Sequence, residues 1–248
     1  MLDLDWTQRA IAGVKRQLPD SKKIEWDTQA GKLLFKYARA AYHVSIMRLC
    51  YTAAVQAQTR EMASVPMKDG VSTYVGPSAQ VLFFNLDAFF EAARSTHEFL
   101  LPCLSSAEVL KTRPSSLKTY CQDHSHEEYP QINAVLGEFW EVCGRRTQGY
   151  RDCFVHCVSL SGVVWQTALN MRWQDGSWQA SLYLPDNPRA KSYGNFTFDD
   201  RTDALATCEN ILEQSVGVIK KTIEGCMEKW RSALDDSEYT IRNIVLGP

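Results

Sequence analysis

The sequence predicts a mainly α protein, a helical bundle that carries one inserted β-hairpin. Three observations predict it. Apolar residues recur at three-and-four spacing over several long stretches, the period switches to two only between residues 163 and 184, and no Gly- or Ser-rich linker splits the 248 residues,. One domain, residues 1–248, is the economical organisation, with an N-terminal helical extension over 1–62 and the hairpin over 163–184. Hydrophobic residues at 45% and charged residues at 23% are ordinary for a folded domain and exclude a fibrous or disordered chain,. A net charge of −2 gives no global attraction to nucleic acid, so any phosphate-binding surface has to be local,.

The opening residues mix Asp3, Asp5, Arg9, Lys15 and Arg16 among apolar ones, unlike the uninterrupted core of a signal peptide,. No run of 18 uncharged apolar residues occurs,. The expectation is a cytoplasmic protein with no membrane partner. From Asp27 to about Arg60, Leu33, Tyr37, Ala40, Val44, Met47 and Tyr51 form the stripe of a long amphipathic helix,. Lys32, Lys36, Arg39 and His43 line another face, which is either a solvated surface or a stripe that meets a phosphate backbone,. Residues 64–80 have no period and carry two Pro and two Gly, the signature of a loop,.

The next helix buries Leu86, Phe90, Ala93, His97, Leu100 and Leu104 and leaves Asp87, Glu91, Arg94 and Glu98 as a charge ladder outside,. On that stripe His97 reads as a hydrogen-bonded core histidine, and Arg94 as a surface salt-bridge residue. Cys121, His124 and His126 offer three metal-capable groups, but the second half of a zinc site is missing, so no metal and no cofactor is expected,. A third helix carries Pro130 in its first turn, runs through Ile132, Val135, Leu136, Phe139 and Val142, and stalls near Gly144,. A shorter helix from about Gly149 contains YRDCFVHC, residues 150–157.

After Gly162, Trp165 to Trp173 and Trp178 to Leu184 alternate around Asp175-Gly176, a hairpin on a two-residue turn that sets Trp173 opposite Trp178,. PDNP at 185–188 ends the second strand,. A last helix, capped by Asp199 or Asp200, buries Leu205, Cys208, Leu212, Val216, Ile219, Ile223, Met227 and Trp230,. The eight cysteines sit mostly in apolar periodic segments, where reduced thiols pack as small hydrophobes,.

The chemistry concentrates in YRDCFVHC. Asp152 and His156 are four apart and share a helical face, whereas Arg151 and His156 are five apart and differ by roughly 140° on a regular helix,. Arg151 and His156 therefore converge only if the arginine wraps around, the helix begins at this point, or a second copy completes the site. The bland alternative is a solvated Arg151–Asp152 edge beside a packed histidine.

Arg151, Asp152 and His156 match the Arg-x4-His signature of the HEPN superfamily, small helical domains that include metal-independent ribonucleases. FFNLDAFFEAARSTHEFL resembles the helix that precedes the motif in that family, and the final amphipathic helix is likewise similar, so the likeness spans roughly residues 82 to 230. The resemblance implies a homodimeric endoribonuclease with the two motifs facing one another. His156 would act as general base on a ribose 2′-hydroxyl, leaving a 2′,3′-cyclic phosphate, and Arg151 would stabilise charge on the phosphate. Asp152 would position one of the two. It implies RNA as partner, with Arg145, Arg146, Lys32, Lys36 and Arg39 as candidate RNA contacts. It also implies a toxin or antiphage setting with an antitoxin or defence partner protein. A non-catalytic module of the same fold, binding a nucleotide or a partner protein, is the alternative.

Overall fold

The computed structural model describes residues 2–63, 77–111, 114–122, 129–154, 169–174, 177–190 and 195–232. The chain is mainly helical, with one small antiparallel sheet. Helix α1 (Leu4–Gln17) is capped by Asp3, whose side chain accepts from the Trp6 amide at 3.0 Å,. Pro19 separates it from α2 (Asp20–Met62), a helix of 43 residues and therefore roughly 65 Å long,. The indole of the fully buried Trp26 donates to Ile11 O at 3.1 Å, and the Tyr37 hydroxyl accepts from the Leu2 amide at 3.1 Å. Those two bonds fix α1 along α2.

Helix α3 (Pro77–Ser106) begins at Pro77, where the missing amide proton costs nothing, so residues 77–80 are helical rather than loop,. Residues 64–76 lie outside the described residues. α2 and α3 run antiparallel: His43 meets Asn85 at 2.9 Å while Lys32 sits over the Phe99 ring at 5.9 Å. The expected α3 stripe is buried throughout. The charge ladder is not simply solvated, because α6 packs over part of it, and the Arg94 side chain is only 16% exposed in its ion pair with Glu98. Glu98 also accepts from the Leu117 amide, which opens the short helix α4 (Leu117–Gln122).

Helix α5 (Pro130–Phe139) does not stall at Gly144. It widens into a π-helical turn at Trp140–Gly144 and continues as α6 (Arg145–Asp152). A π turn inserts one residue into the helical phase. Trp140 and Cys143 therefore turn inward, while Val142, expected in the core, is 59% exposed. The turn needs its glycine, since a Cβ at Gly144 would lie 2.8 Å from Trp140 Cε3.

Strands β1 (Leu169–Gln174) and β2 (Ser177–Leu184) pair in the expected register, Trp173 opposite Trp178. A third strand, β3 (Thr202–Asp203), pairs with Leu184 and Tyr183 and extends the hairpin to three strands. The last helix, α7 (Ala204–Ser232), starts later than expected: Asp203 is the cap, accepting from the Ala206 amide at 2.7 Å. The amides of Asp199 and Asp200 are bonded instead to the Asp186 side chain. Its buried stripe runs through Ala204, Cys208, Ile211, Ser215, Val218, Ile219, Ile223 and Cys226, which leaves Leu205, Leu212, Val216, Met227 and Trp230 half-buried at its flanks. Cys50, Cys103, Cys121, Cys143, Cys208 and Cys226 carry free thiols. No helix among them is long and apolar enough to cross a membrane.

Candidate functional site

Arg151 stands in the last turn of α6, which packs on α3. That packing has an aromatic cause: Phe90 of α3 is stacked on Phe154 with centroids 5.6 Å apart and touches Tyr150 at 5.1 Å,. The seam holds Arg151 against α3's charged face. Its Nε donates to Glu91 Oε2 at 2.9 Å and its Nη1 to Asp152 Oδ1 at 3.2 Å. Gln148 Nε2 reaches the other Asp152 oxygen at 3.4 Å. Asp152 thus positions the arginine.

These groups line a cleft of about 320 Å³, bounded by Glu91, Arg94, Ser95, Glu98, Phe99, Gln148, Arg151 and Asp152. The hydrogen bond that Arg151 donates to Glu91 pushes its guanidinium further toward the charged form, with Asp152 adding to the effect. Burial and the neighbouring Glu91 raise the Asp87 carboxyl, one helical turn before Glu91. Burial pulls Arg94 down, although a guanidinium stays charged,. Three carboxylates and two guanidiniums therefore border the cleft, a local excess of negative charge.

His156 lies outside the described residues, as do His124 and His126. The helix becomes π-wound at Cys153 and Phe154, the last described residues of this segment,. Among the described residues no group of three or more His, Cys, Asp or Glu could hold a metal ion.

The candidate RNA contacts do not converge on one place. Arg145 and Arg146 border a second cavity of about 350 Å³ on another face of α6, with Glu141, Asp186 and Arg189. There Arg145 pairs with Glu141 at 3.1 Å and Arg146 lies 5.7 Å from the Tyr150 ring centroid. Lys32 approaches the Arg151 cleft through Phe99, whereas Lys36 and Arg39 continue along α2 away from that contact. Two members of these sites escaped sequence reasoning. Glu91 looked like one rung of a ladder, and nothing local revealed its arginine sixty residues on; Arg189 reaches the second cavity through the turn that PDNP signals.

His97 is fully buried, as its stripe position predicts, with Nε2 at 3.0 Å from Ser215 Oγ and its ring edge-on to Phe139. Comparisons with family models, curated proteins and solved structures find no match to this chain.

Proposed function

We propose that the chain is a HEPN-like, metal-independent endoribonuclease that acts as a homodimer, in the toxin or antiphage setting which that resemblance implies. One observation carries the reading: the Arg151 guanidinium is held by Glu91 and Asp152 at the edge of an open cleft, immediately before the segment that contains His156. A fork whose Nε and one Nη are already fixed presents its remaining N–H groups with little further loss of side-chain freedom. Such a group suits a phosphate that gains charge during 2′-hydroxyl attack. His156 is the proton acceptor of this scheme.

A specific observation favours a second reading, a non-catalytic partner-binding module. Glu91, Glu98 and Asp152 outnumber Arg94 and Arg151 in the cleft, so its field opposes an approaching polyanion and attracts a cationic group of a partner protein,. The experiment is incubation of the purified chain with a mixed RNA pool in EDTA, beside Arg151→Ala and His156→Ala. Cleavage to cyclic-phosphate ends, lost in both variants at unchanged thermal stability, is the expected result. Cleavage that persists in both variants, or is absent from the parent, overturns the ribonuclease reading.

A further inference from the structure

Helix α2 is apolar on two opposite sides. One side, from Trp26 through Leu33, Tyr37, Ala40, Val44 and Met47, is buried in the bundle. The other faces solvent and carries Ile24, Phe35, Tyr42 and Leu49, exposed by 80%, 67%, 59% and 75%. Single exposed apolar residues need no explanation, but a row of them along one helix does. Phe35, Tyr42 and Leu49 are seven apart, and Gly31, Ala38 and Ser45, also exposed and also seven apart, stand four positions before each of them. This is the a/d spacing of a two-helix seam. Nothing lies within 4 Å of a Cβ placed on Gly31, so the small positions are open notches.

The large and small residues are arranged so that the seam is complementary to itself. Let a second α2 lie antiparallel, with the twofold axis at the level of residue 40. Phe35 then meets Ser45 of the second copy, Tyr42 meets its Ala38, and Leu49 meets its Gly31. Each large side chain faces a small one in every layer. A parallel pair would stack large on large and small on small, leaving alternate layers overfilled and hollow, and both are costly. We infer that this face of α2 is a homodimer interface in which two copies of the chain pack antiparallel, Phe35, Tyr42 and Leu49 of each entering the notches at Ser45, Ala38 and Gly31 of the other.

The area is sufficient for a modest dimer. From Ile24 to Gln56, the span symmetric about residue 40, the strip is roughly 48 Å long and 10 Å across, or about 960 Å² in projection over both copies and more along its corrugated surface. Specific interfaces begin near 1,000 Å². Charge does not join the copies. Arg39 flanks the seam at the level of the axis, so the two guanidiniums fall on the same side, where Lys32 and Lys36 of both copies add to one cationic strip. Added salt therefore tightens this dimer by screening the repulsion between the two Arg39 guanidiniums at the axis. The surface is separate from the Arg151 cleft, and it does not rest on the ribonuclease reading.

Sedimentation equilibrium of the full chain between about 1 and 100 µM reads the association. The parent is expected to dimerise in that range, more tightly as salt rises from about 0.05 to 0.5 M. Phe35→Lys and Leu49→Lys each enter a twofold interface twice and are expected to weaken association by about a hundredfold or more, with the far-UV spectrum and the unfolding curve of dilute protein unchanged. Register is tested by the double variant Phe35→Cys with Ser45→Cys, which should oxidise to a covalent dimer, while either substitution alone should not exceed the parent's background. Like positions at 35 lie about 15 Å apart in this packing. A parent that stays monomeric overturns the inference. So does a dimer indifferent to both lysine substitutions, one that salt loosens, or one in which the paired cysteines fail to link. Association is read without RNA, so its outcome is independent of the cleavage assay.

Discussion

His97 should make the protein acid-sensitive, and the size of the effect follows from its surroundings. Ser215 Oγ has one proton, which it donates to Ile211 O at 2.7 Å, so toward His97 it can only accept. That fixes the proton of the neutral ring on Nε2 and leaves the Nδ1 lone pair buried with no partner,. Protonating Nδ1 would create an imidazolium that is sealed from water and close to the Arg94 guanidinium. Burial, with Arg94 second, accordingly lowers the His97 pKa from 6.5 to about 3. The unfolded chain binds this proton below about pH 6.5 and the folded chain does not, so the associated stability is complete above pH 6.5 and is lost as pH falls toward 3. Between pH 7 and pH 5 the loss is about 2 kcal/mol, from roughly 1.5 units at 1.36 kcal/mol each. Urea unfolding of the parent and of His97→Leu, followed by tryptophan fluorescence at both pH values, isolates this contribution. In the variant Ser215 keeps its bond to Ile211, and the orphaned lone pair is gone. The stability of the parent relative to the variant should fall by about 2 kcal/mol on acidification. A relative change under about 0.5 kcal/mol would refute the tautomer argument and the burial on which it rests.

Two further outcomes test the packing. A Cβ at Gly225 would lie 2.2 Å from Ile132 Cδ1 and 3.1 Å from Cγ1, so Gly225→Ala should destabilise the α5–α7 contact by about 1–2 kcal/mol in spite of its better helix propensity,. Adding Ile132→Val, which removes Cδ1, should recover most of that, and strictly additive effects in a double-mutant cycle would contradict the close approach. Asp203→Ala removes the cap on the Ala206 amide and should cost about 1 kcal/mol in thermal or urea unfolding, whereas Asp199→Ala and Asp200→Ala should cost less, since those residues use only their backbone amides toward Asp186,.

What could be read from the sequence was what is local and periodic. The stripe Leu86 to Leu104 and the pairing of Trp173 with Trp178 follow from spacing alone, and both hold. The end of the third helix did not, because a π turn leaves no mark in a pattern counted at 3.6 residues per turn; Gly144 looks like a terminator when it is there to admit the Trp140 ring,. The cap of α7 was missed by three or four residues, because two earlier aspartates imitate the signal and β3 displaces the start of the helix. In the candidate site, Arg151 and Asp152 were legible as neighbours. The third partner, Glu91, comes from tertiary packing of α6 on α3, which no spacing rule reaches across sixty residues.

Glu91 is also where the two functional readings part. A carboxylate on Arg151 Nε can serve catalysis only by orientation, since it cancels part of the positive charge that a phosphate would meet. Orientation is worth having when the arginine stabilises a transition state, because the geometry matters more there than in the ground state. A ribonuclease built on this cleft would therefore bind RNA weakly at Arg151 itself and take its affinity from cations elsewhere, such as the Lys32, Lys36 and Arg39 face of α2 or the Arg145 and Arg146 cavity,. A binding module makes the opposite use of the same residues. There Glu91, Glu98 and Asp152 are the recognising groups and Arg151 is the brace that keeps them apart, holding Glu91 and Asp152 on two of its nitrogens. The distinction lies in which charge is left facing the solvent, and the geometry of the guanidinium fork, fixed on its Nε and Nη1 sides, makes both roles depend on the one contact between α3 and α6.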